Sequence, residues 1–172
     1  MHFITLNTKE MNSPAYTSLK LPHLLISITD PNRVVKIPKT LHCKQRLDLN
    51  FLDIEKITDD SFNMGMAEEI LNFINMYCHQ VDLIVVHSEN GQSRSVAVGS
   101  ALSKILNHKD DGVFSHGISN MLVYVTILDA YFMEKPLKWS KIDYLRNESV
   151  KRNVKGDVFK VYCYKQQKKK ES

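Results

Sequence analysis

The chain has 172 residues, 43% of them hydrophobic and 24% charged, with a formal net charge of +4. That is enough apolar chain for one sheet covered by helices and too little for two independent cores. The small charge excess excludes a strongly basic nucleic-acid binder, the N-terminus lacks the basic-then-apolar pattern of a secretion signal, and the longest apolar stretch, Met121 to Met133, contains Thr126 and Asp129 and is too short to span a bilayer.

In chain order, Phe3 to Leu6 reads as an edge strand, and His23 to Thr29 as an apolar strand ended by the turn signal Asp30-Pro31-Asn32. Leu47, Leu49 and Phe51 alternate with Asp48 and Asn50, so Arg46 to Phe51 reads as a half-buried strand. Between Ser61 and His79, Met66, Ile70, Phe73, Ile74 and Tyr77 recur on one helical face that would cover a sheet. Asp82 to His87 is a buried strand, Ser95 to Leu106 a helix with a small-residue start, and Met121 to Met133 a mostly buried helix. Trp139 to Asn153 fits a further surface helix, Val158 to Tyr164 has strand composition, and residues 165–172 form a basic tail without apolar anchors, expected to be disordered. The order of elements predicts an α/β fold with a largely parallel central sheet flanked by helices, in one domain over residues 1–164. Three cysteines, Cys43, Cys78 and Cys163, show neither pairing nor metal-ligand spacing, and the seven histidines are scattered, so no metal and no cofactor is expected. A cytoplasmic location is the default for such a chain.

The segment Val85 to Ser95 carries the chemistry. A strand feeding a short loop into a helix N-terminus aims several free backbone N–H groups at one spot, and the helix dipole adds positive potential there. Gly91 permits the close approach and unusual backbone angles of such a nest, and Arg94 offers a planar fork for two oxygens of an oxyanion.

His87, Ser88, five further residues, Arg94 and Ser95 match the signature of cysteine-dependent phosphatases at every defined position except the nucleophile, where serine stands for cysteine. The chain resembles a compact dual-specificity-type member of the protein tyrosine phosphatase superfamily. The segments Leu25 to Pro31 and Asn120 to Tyr124 are similar to small microbial members of that group, and the likeness covers roughly residues 1–135.

The resemblance implies a strand, phosphate loop and helix site. Backbone N–H groups of Glu89, Asn90, Gly91, Gln92, Ser93 and Arg94 would hold the phosphate, and Arg94 would steady its equatorial oxygens. Ser95 would assist departure of the nucleophile, or simply cap the helix. Family members attack phosphorus with a thiolate whose pKa the loop lowers, whereas the Ser88 hydroxyl stays protonated and has no base in the loop. His87 reads as a structural histidine ordering the loop rather than as that base. The general acid by resemblance lies on the loop after the strand ending at Phe51. Asp53 fits best, Asp60 is the runner-up, and Asp59 is a third candidate; the two later residues also suit caps of the following helix.

The resemblance implies hydrolysis of phosphate monoesters through a cysteinyl-phosphate intermediate, in a form that Ser88 inactivates. An engineered Cys-to-Ser change is the favoured origin, and the alternative is a natural pseudophosphatase acting as a phospho-dependent binding or scaffold protein. The expected partner is a phosphorylated protein, carrying phosphotyrosine or phosphoserine/threonine. An RNA-end or nucleotide phosphatase is the minority reading, and no membrane partner is expected.

Overall fold

The computed structural model describes residues 1–38, 40–108 and 119–132. Strand β1 (His2–Leu6) leads through two four-residue helices, α1 (Thr8–Met11) and α2 (Pro14–Thr17), to β2 (His23–Thr29) and β3 (Cys43–Asn50). Helix α3 (Met64–Tyr77) and a 3-10 turn at Cys78–Gln80 precede β4 (Leu83–Ser88), α4 (Arg94–Asn107) and α5 (Met121–Tyr131). The four strands form one sheet in the order β1-β4-β2-β3, and every neighbouring pair is parallel.

Parallel strands joined by helices bury both faces at the centre of the sheet, which is why β2 and β4 are buried along their whole length while β1 and β3 show mixed exposure. Successive side chains of a strand point to opposite faces. Leu24, Ile26, Ile28, Ile84 and Val86 accordingly join the larger core with residues of α3, α4 and α5. Leu25, Leu83 and Val85 face the other way, against Met11 of α1, Tyr16 of α2 and Ile37. Helix α5 is buried from Met121 to Asp129 because it is apolar on nearly all sides and lies against α3 and α4.

The α/β architecture with its parallel sheet is the one the pattern predicts, with differences at the element ends. The third helix begins at Met64 rather than Ser61: the Asn63 side chain accepts the Met66 N–H at 3.1 Å, while the Ser61 hydroxyl donates to the Thr58 carbonyl in a separate turn. Asn63 is therefore the cap that Asp59 and Asp60 were expected to supply. Helices α1 and α2 are additional to the predicted elements. α1 is held by a capping box in which Asn7 accepts the Glu10 N–H at 2.9 Å and the Glu10 carboxylate accepts the Asn7 N–H at 2.8 Å. The predicted helix over Trp139 to Asn153, the strand over Val158 to Tyr164, Cys163 and the tail lie outside the described residues. Among the described residues no helix is long and apolar enough to cross a membrane.

Candidate functional site

An all-parallel sheet sends the carboxyl ends of its strands to one edge, the edge where ligands of open α/β sheets bind. Here that edge gathers Asn7 and Thr8 after β1, Asp30 after β2, Phe51 and Asp53 after β3, and the loop from Ser88 to Arg94 after β4.

The loop is a tight turn pressed against the start of α1. The Gly91 N–H donates to the Ser88 carbonyl at 3.1 Å, and the Thr8 N–H donates to the Glu89 carbonyl at 3.3 Å. Gly91 has φ of +67°, and a Cβ placed on it would lie 2.7 Å from the Asn7 nitrogen, so both the backbone angle and the space demand glycine. The amides of Asn90, Gln92 and Ser93 have no acceptor among the described residues. Helix α4 begins at Arg94, which puts Ser93 at the N-cap position and Ser95 inside the first turn. The reading of Ser95 as an N-cap is thereby corrected. Its hydroxyl instead accepts a hydrogen bond from the Ser88 hydroxyl at 2.9 Å, in a buried pair.

Arg94 is 4% exposed. Its Nη1 donates to the Phe51 carbonyl at 2.5 Å and pairs with the Asp30 carboxylate at 2.7 Å, and the guanidinium carbon lies 5.8 Å from the centre of the Phe51 ring. Nε is buried and has no partner among the described residues. One edge of the fork is thus pinned while the other keeps its donor capacity. Asp30 was legible only as part of a turn signal. Its place at the carboxyl end of a fully buried parallel strand is the feature that marks it.

His87 and Ser88 are consecutive on a strand and face opposite sides of the sheet. The His87 ring nitrogens lie 3.2 Å from Thr8 Oγ1 and 3.2 Å from Ser27 Oγ, on the α1 side, whereas Ser88 bonds to α4 on the other. Burial, reinforced by the positive charges of Arg46 and Arg94 against the opposing pull of Asp48, lowers the His87 pKa to about 4. The neutral, fully engaged imidazole cannot take the Ser88 proton, and among the described residues the hydroxyl's partner is the Ser95 hydroxyl, which is not a base.

Asp53 is the one of the three aspartates that meets the loop. Its Oδ1 accepts from the Ser93 hydroxyl at 2.8 Å and from the Asn120 side-chain amide at 2.9 Å. The same amide donates to the Ile54 carbonyl at 3.2 Å while its oxygen accepts the Val123 N–H, so Asn120 caps α5 and clamps the segment after β3. Glu55 strengthens this junction by accepting the Met121 N–H at 2.8 Å. Asp59 and Asp60 are exposed, and the Asp60 carbonyl closes their loop by accepting the Leu52 N–H at 2.8 Å. Glu89 turns to a basic neighbour, pairing with Arg33 of the loop after β2. Asn90 and Gln92 line a cleft of about 950 Å³ on the α1 side of the loop, together with Lys9 and Asn12. No group of three or more His, Cys, Asp or Glu residues among the described residues is placed to hold a metal ion.

No family model matches the sequence, and no curated protein matches it. Among solved structures the chain is similar to human DUSP28, at 14% identity over 88% of this chain and 94% of that one with a TM-score of 0.47. A variant of the same human protein gives 13% identity over 88% and 92% with a TM-score of 0.48. A human tyrosine phosphatase-like serine/threonine/tyrosine-interacting protein gives 12% identity over 86% and 93% with a TM-score of 0.47.

Proposed function

We propose that the loop from Ser88 to Arg94 is a phosphate-monoester site of the cysteine-dependent phosphatase type, which in this chain binds its ligand without transferring the phosphoryl group. The observation that carries the reading is Arg94: a buried guanidinium whose Nη1 is fixed by Phe51 and Asp30 while its Nε is left without a partner. A buried donor without an acceptor is costly unless a ligand supplies one. The amides of Asn90, Gln92 and Ser93 and the start of α4 supply further donors beside it.

Serine at position 88 is the reason no turnover is expected. A thiolate at position 88 would be stabilised by the loop amides and the helix N-terminus, would attack phosphorus, and would expel an alkoxide or phenoxide that takes its proton from Asp53. Water would then release the phosphate from sulfur. A hydroxyl bonded to Ser95 enters none of these steps, because its proton has no destination. The ligand class we favour is a phosphotyrosine-bearing protein. The carboxylates of Asp30 and Asp53 beside the loop oppose a polyanionic nucleic-acid backbone, which weakens the reading as an RNA-end phosphatase.

Calorimetric titration with a phosphotyrosine peptide tests the proposal. Binding without release of inorganic phosphate is expected, and Arg94→Lys should weaken it by about 1 to 3 kcal/mol through loss of the planar fork. Equal affinity of the two proteins, or no binding by either, would overturn the assignment.

A further inference from the structure

The Arg94 charge is shared before any ligand arrives. The Asp30 carboxylate lies 2.7 Å from Nη1, with Arg94 5% and Asp30 35% exposed at the side chain. Asp30 is not needed to aim the guanidinium, since the Phe51 carbonyl holds the same Nη1 and the Phe51 ring lies beside the group. Its backbone is tied to the loop, because the Asp30 N–H donates to the Glu89 carboxylate at 3.5 Å and Arg33 pairs with the same carboxylate. From these contacts, and on the reading that the loop holds a phosphate monoester, we infer that Asp30 is the specificity-determining residue of the site: it lowers the affinity for doubly charged ligands more than for singly charged ones.

The physical reason is the geometry of the shared arginine. A ligand oxyanion that reaches the free edge of the guanidinium comes within a few ångströms of a carboxylate on its other edge, inside a partly buried region where charges are weakly screened. The repulsion scales with ligand charge. A dianionic phosphate monoester therefore loses more affinity to Asp30 than an isosteric sulfate monoester, which carries one negative charge. The other acidic groups contribute less to this selection, since Glu89 is neutralised by Arg33 and Asp53 is engaged with Ser93 and Asn120.

The test compares phosphotyrosine with sulfotyrosine at pH 7.5, by calorimetry, on the native chain and on Asp30→Asn. The asparagine keeps an oxygen acceptor for Nη1 and removes only the charge. Phosphotyrosine should bind Asp30→Asn about tenfold tighter or more, and sulfotyrosine only about twofold to threefold tighter. Asp30→Glu should restore the native ratio. Asp82→Asn, the same charge change just before β4 and about 20 Å away along that strand, should alter neither affinity. Unchanged or weaker phosphotyrosine binding by Asp30→Asn, or an equal gain for both ligands, would overturn the role given to Asp30 while leaving the phosphate site standing. Binding of neither ligand by either protein would instead sink the phosphate site itself. Should Asp30→Asn fold poorly, the native chain still decides: comparable affinities for the two ligands support the inference, and a preference for phosphotyrosine of about a hundredfold or more contradicts it.

Discussion

At the scale of single residues, His87 and Ser88 show how a strand separates two neighbours into different jobs. His87 is buried and neutral, spanning Thr8 of α1 and Ser27 of β2, and this has a consequence for stability. Its folded pKa of about 4 lies below the ordinary 6.5, so as pH falls the unfolded chain takes up a proton before the folded one does. The stabilisation is complete above about pH 6.5 and is lost as pH falls toward 4, for a total of roughly 3 kcal/mol. His23, whose pKa burial also lowers, acts in the same direction. Urea denaturation between pH 7 and pH 5 should show declining stability for the native chain and a flatter profile for His87→Gln. An unchanged profile would mean that His87 is not the group responsible. The buried place of His87 at a strand end was legible in the sequence, and so was the tight turn at Gly91 leading into a helix at Arg94. Asp30 and Asn120 were not legible as members of the site, because their partners lie 64 and 67 positions away in sequence and meet them only through the strand order.

At the scale of elements, the junction between the segment after β3 and the start of α5 is the part of the site most open to experiment. Asn120 satisfies the first turn of α5 and at the same time holds Asp53 and Ile54. Asn120→Ala should cost about 1 to 2 kcal/mol of stability through the lost cap. In a Ser88→Cys background it should also lower the turnover of phosphotyrosine, by releasing Asp53 from its place beside Ser93. Chemical denaturation checks the first effect and steady-state kinetics the second; a stability loss with turnover intact would reduce Asn120 to a cap. The long periodic elements, α3 and α4, were readable because their apolar faces repeat over several turns. The four-residue helices α1 and α2 were not, since so short a segment has no period to detect. The capping box from Asn7 to Glu10 was the local sign of α1, and Pro14 after Ser13 that of α2.

At the scale of the whole molecule, the parallel sheet decides where chemistry can occur. Continuous apolar runs in β2 and β4 place those strands at the centre, and the loops that follow them then lie side by side, which is how Asp30 comes to Arg94 and Arg33 to Glu89. The largely parallel sheet was expected from the order of strands and helices as a whole, whereas the position of β4 between β1 and β2 was not, because no local signal encodes which strands become neighbours. The same arrangement places the proposed phosphate-binding groups around Ser88. Hydrolysis of p-nitrophenyl phosphate by Ser88→Cys is the decisive measurement. The site described here predicts turnover clearly above that of the native chain, with phosphotyrosine turnover falling by about 100-fold when Asp53→Ala is added and aryl phosphates with good leaving groups affected less. A Ser88→Cys protein that folds and binds phosphotyrosine yet releases no phosphate would contradict it.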